Sequence, residues 1–102
     1  MPTPTVMPKT IKVGPHVYSV LRKPIPGGLG NCDFTLLQIC IKPRLRRSKA
    51  REILLHEVLH ATTHPSMNGD KKYTDEDFVT AVAPMLLEVL RDNPGLLEYL
   101  VG

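Results

Sequence analysis

The chain has 102 residues and a mass of 11.4 kDa, enough for one domain with one modest core and too short for a second catalytic domain. Hydrophobic residues make up 42% and charged residues 23%, which argues against wholesale disorder, and no apolar run approaches the roughly 20 residues needed to cross a bilayer. The net charge of +3 is unevenly spread: residues 1–51 hold ten Lys and Arg against Asp33 alone, and the later half is acidic.

Prolines at positions 2, 4 and 8 predict a flexible leader over residues 1–9, followed by a single domain over residues 10–102. The leader lacks the charged and apolar regions of a signal peptide, so a cytoplasmic location is expected. Thr10-Ile11-Lys12-Val13 and Val17-Tyr18-Ser19-Val20-Leu21 are β-rich runs around the turn signal Gly14-Pro15 and read as a hairpin. After the breaker-rich loop from Lys23 to Asn31 comes Cys32-Asp33-Phe34. Leu36-Leu37-Gln38-Ile39-Cys40-Ile41 is then the strongest strand candidate, ended by Lys42-Pro43. An antiparallel sheet of three or four strands is expected. Cys32 and Cys40 do not form a CxxC pair and should remain thiols in a reducing compartment, although strands in a hairpin could bring them face to face.

The densest positive charge comprises Arg44, Arg46, Arg47, Lys49 and Arg51. It could contact nucleic-acid phosphates, with salt-sensitive affinity, but no aromatic residues are interleaved to stack on bases, which favours a solvated helix entrance.

Residues 46–63 carry a helical pattern with Ile53, Leu54, Val58, Leu59 and Ala61 near its apolar stripe and Ser48 as a candidate N-cap. His64-Pro65 should end this helix, because the residue before proline avoids the α region. Within it lies His56-Glu57-Val58-Leu59-His60, an HExxH pentad. Histidines four residues apart fall on one helix face and can reach a single ion, and that face is expected to point into the domain. Glu57 is placed to take a proton from a metal-activated water as general base. A hydrolytic zinc site takes a third protein ligand and leaves a position for water. Other divalent ions also accept two imidazoles and a carboxylate.

A second helix is announced by Thr74 as N-cap, with Asp75, Glu76 and Asp77 in its first turn where acidic side chains suit the helix dipole. Glu76 is the expected third ligand, with Asp75 and Asp77 as its nearest competitors. His64 shares the helical face of His56 and His60, but eight helical residues separate it from His56 by ~12 Å. It is therefore read either as an exposed helix-end histidine or as a group beside the metal, where His64 or Tyr73 could donate a hydrogen bond to an oxyanion. Pro84 should kink the second helix. Asn93 as cap and Pro94 at the first position should open a short final helix that buries Leu96, Leu97, Leu100 and Val101.

From Gly30-Asn31-Cys32-Asp33 through the pentad to the Glu76 helix and Leu90-Arg91-Asp92-Asn93-Pro94, the chain resembles the minimal zincin metallopeptidases. The likeness is to the HExxH-plus-glutamate arrangement of the ImmA/IrrE-like group and of small zincin-like proteins of phages and prophages. In that group the third ligand opens the pattern E-x-x-A-N-x-F-A. Here Glu76-Asp77-Phe78-Val79-Thr80-Ala81-Val82-Ala83 keeps the glutamate and the final alanine and departs at Val79, Thr80 and Val82. The resemblance implies an α+β fold, with a small antiparallel sheet packed against the HExxH helix and one or two C-terminal helices. The expected function is zinc-dependent hydrolysis of a peptide or protein substrate, with His56, His60 and Glu76 on the metal and Glu57 as base. The alternative is a metal-stabilised binding or regulatory protein of a phage or mobile element that cuts no peptide.

Overall fold

A computed structural model describes the backbone of residues 6–67 and 75–102, and the side chains of these except residues 65–67, 75–77 and 79. The fold is α+β. Four strands, β1 (Thr10–Val13), β2 (His16–Arg22), β3 (Gly30–Asp33) and β4 (Gln38–Ile41), precede three helices, α1 (Arg47–Met67), α2 (Asp75–Asp92) and α3 (Pro94–Val101).

The expected first hairpin is present, with Val13 opposite His16 across Gly14-Pro15. Gly14 adopts φ +58°, and a left-handed residue followed by proline's fixed negative φ suits a tight hairpin turn. The sheet is mixed, which corrects the expectation of a purely antiparallel one. Its order is β1-β2-β4-β3, and β2 and β4 run parallel. Burial explains the order. Ile39, Cys40 and Ile41 of β4 are all buried, whereas Gly-Asn-Cys-Asp of β3 is polar and half-exposed. The apolar strand therefore takes the interior of the sheet and the polar one its edge.

β4 begins two residues later than the sequence pattern predicts. Asp33 Oδ1 accepts hydrogen bonds from the backbone N–H groups of Thr35 and Leu36 at 2.9 and 2.8 Å, drawing the chain into a side-chain-capped turn. Leu37 closes this turn at φ +55°, a conformation that costs a non-glycine residue about 1–2 kcal/mol. Its carbonyl accepts from Ser19 N at 2.9 Å, and its side chain packs on the core.

Cys32 pairs with Ile39, so Cys40 is offset by one residue and points to the opposite sheet face. Both cysteines are free. Ile39, Ile41, Tyr18, Ile11 and Val13 form the sheet's share of the core, with Leu54, Val58 and Ala61 from α1, Val89 from α2, and Leu96 and Tyr99 from α3. Met7 also rests on this cluster, and the Lys9 carbonyl accepts a hydrogen bond from Val20 N at 2.9 Å.

α1 lies over β3 and β4, α2 covers β1, and α3 closes against both helices. The first helix runs to Met67, past the stop predicted at His64-Pro65. Proline removes a single N–H donor and disfavours helix at the preceding residue without forbidding it. α2 runs through Pro84. Pro94 opens α3 as expected, but Asn93 makes no side-chain cap bond there. Its amide accepts from Lys12 N at 2.8 Å and donates to the carbonyls of Lys12 at 2.8 Å and Val89 at 2.7 Å. Among the described residues, no helix is long and apolar enough to cross a membrane.

Candidate metal centre

α1 buries Ala50, Leu54, Glu57, Val58 and Ala61, a stripe at helical spacing. A helix turns by about 100° per residue, so His56 and His60 lie on the flank of this stripe. Both are exposed, which corrects the expectation that the metal face points into the domain. The pair converges as its spacing requires: His56 Nε2 and His60 Nε2 are 3.2 Å apart, with ring centroids separated by 4.8 Å and planes inclined at 72°. Two imidazole nitrogens each bound about 2.0–2.1 Å from one tetrahedral ion stand about 3.3 Å apart. The separation of the two Nε2 atoms therefore matches that of two ligands on a shared tetrahedral ion.

Glu57, between them in sequence, behaves differently. Only 5% of it is exposed, and it reaches across to β3. The three side chains border a groove of about 340 Å³ whose opposite wall includes Gly30, Cys32 and Phe34. β3 is the outer strand on this side of the sheet. Burial, reinforced by the negative charges of Glu57 and Asp33 and by the neighbouring Cys40, pushes the Cys32 thiol up to about 12. It is consequently protonated at neutral pH and is not a nucleophile there.

The expected third ligand and its competitors, Glu76, Asp75 and Asp77, have side chains outside the described residues, and so do Tyr73 and the Thr74 cap. Among the described residues, no group of three or more His, Cys, Asp or Glu side chains comes together to hold an ion. The backbone shows that α2 begins at Asp75 and packs on α1. His64 is stacked face to face on Phe34, with centroids 3.8 Å apart and planes 8° from parallel. It lines a second, largely apolar cavity of about 450 Å³ with Tyr18, Ala61 and Met85. Phe34 borders both spaces. Neither the Phe34–His64 stack nor the part played by Gly30 and Cys32 was assigned from spacing. A glycine opening a strand is the signal that a close approach was there to find.

The basic cluster is partly engaged within the chain. Arg51 donates to the Gly102 carbonyl at 2.6 Å and lies 5.8 Å from the centre of the Tyr99 ring, while Lys49 pairs with Glu52 at 3.3 Å.

Comparisons with family models, with curated proteins and with solved structures find no match for this chain.

Proposed function

We propose that this protein is a zinc-dependent metallopeptidase of minimal zincin type, with His56, His60 and Glu76 as metal ligands and Glu57 as general base. The observation that carries the reading is the 3.2 Å approach of the two Nε2 atoms on the groove that Glu57 also lines. Zinc, when bound, supplies Lewis acidity that polarises a carbonyl and acidifies water to a pKa of about 7. His56 and His60 would hold it through Nε2.

Glu57 does the proton work. Its carboxylate takes a proton from the attacking water and delivers it to the departing amine, a role worth about 10²–10⁴ in rate. Burial favours this role, because a carboxylate held against a strand has few orientations to search. β3 supports a peptide substrate: it is an outer strand at the groove wall, and an extended peptide can align along such an edge through backbone hydrogen bonds.

The test is elemental analysis with a protein substrate. Parent and Glu57→Gln should each bind about one zinc per chain, and only the parent should degrade an unstructured protein such as casein. His60→Ala should lose both zinc and turnover. A parent that binds zinc and cleaves nothing across a broad substrate screen would assign the metal to the non-catalytic binding protein; a parent that binds no zinc removes the metal centre altogether.

A further inference from the structure

The strand facing the imidazole pair opens with a residue that has no room for a side chain. A Cβ built on Gly30 would lie 2.6 Å from Ile53 Cγ2, 3.1 Å from Glu57 Oε2 and 3.2 Å from the Cys40 carbonyl oxygen. Real Cβ atoms essentially never come within 3.0 Å of a neighbour. Gly30 is not among the glycines with positive φ, so glycine is required here for space and not for backbone conformation. The Cys40 oxygen belongs to the interior strand β4 and cannot retreat. Ile53 lies one helical turn before Glu57 on the same side of α1. Any added methyl group would therefore push outward against these two side chains together.

We propose that Gly30 is a positioning residue for Glu57. Its missing side chain leaves a seat in which the carboxylate lies buried against β3 while still bordering the groove it shares with His56 and His60. The inference rests on the peptidase reading, in which Glu57 is the base. A Cβ at 3.1 Å obliges the carboxylate to give by a few tenths of an ångström. Since a displacement of about 1 Å at a catalytic group can cost about 100-fold in rate, filling the seat should cost about 3- to 10-fold.

Casein turnover, zinc content and melting temperature separate this role from packing alone. Gly30→Ala should lower kcat about 3- to 10-fold with KM and zinc content unchanged. Adding Ile53→Ala removes the tightest contact, so Gly30→Ala/Ile53→Ala should regain the melting temperature of Ile53→Ala without regaining kcat. In the Glu57→Gln background, Gly30→Ala should cause no further loss of residual turnover, because the group it acts through is gone. Recovery of kcat in Gly30→Ala/Ile53→Ala, or a full additional loss in the Glu57→Gln background, overturns the proposal. A crystal structure of Gly30→Ala/Ile53→Ala reads the seat without turnover: a carboxylate shifted from its parent position against β3 supports it, and one left in place overturns it. A parent that cleaves nothing sinks the peptidase reading alone, and the seat is then decided by that crystal structure.

Discussion

The two outer strands of the sheet are used in opposite ways. β1 is clamped: the Asn93 side chain exchanges two hydrogen bonds with the Lys12 backbone, as a further strand would, and Lys12 Nζ adds an ion pair to Asp92 at 3.2 Å. β3 instead borders a groove with the imidazole pair and a buried carboxylate. An open sheet edge invites pairing with another chain and is usually covered or kept short. Here one edge is covered by an asparagine. The other is kept to four polar or small residues. The difference teaches that one edge is closed by contacts within the chain while the other borders a groove, so on the peptidase reading substitutions at each should fail in different assays.

The sharpest way to break this division is Glu57→Met. On the peptidase reading it should lower casein turnover by about 10²–10⁴, and it should raise stability by about 1 kcal/mol in urea unfolding, since an apolar side chain replaces a buried carboxylate. A loss of stability comparable to a core deletion would show that β3 needs Glu57 structurally.

Asn93→Ala is the counterpart at the other edge. Removing three backbone-directed hydrogen bonds should cost about 2–3 kcal/mol, measured by urea denaturation, with zinc content unaltered. Equal damage to zinc binding would mean that the edges are not independent.

Cys32 gives a smaller, pH-linked effect. Its thiol is raised to about 12 in the fold from an ordinary 9.0, so the folded state holds its proton more tightly than the unfolded one. The associated stability is present below about pH 9 and declines as pH rises from there towards 12. At pH 8 a disulfide reagent should label Cys32 at least about tenfold more slowly in the native protein than in the unfolded chain; comparable rates would remove the half-buried thiol from the groove wall. Smallest of all, Lys12→Ala should change stability by about 0.5 kcal/mol or less, because the ion pair is partly exposed and the clamp uses backbone atoms. A larger loss would move the credit from Asn93 to the charge pair.

Much of this was legible in order along the chain. The hairpin around Gly14-Pro15, the helix bearing the pentad, the break at Asn93-Pro94 and the approach of His56 to His60 all follow from local periods and turn chemistry. The parallel pairing of β2 with β4 was not, because hydrophobic pattern marks a strand without stating its neighbour. Asn93 had the residue type and position of a cap, yet a partner 81 residues away in sequence captured its side chain. His64 shares a helical face with His56 and His60, and its ring stacks on Phe34, a contact that spacing along the helix does not encode.

What the sequence by itself determined is the pair of imidazoles on one helix face with Glu57 between them in sequence, since a spacing of one helical turn sets the relation of the two rings wherever the helix is placed. Tertiary structure alone decided which flank of α1 would be open, that Glu57 would be buried against β3 and that Gly30 would leave it room. Those depend on which surfaces meet, and burial is a property of contacts between distant segments that no local period encodes.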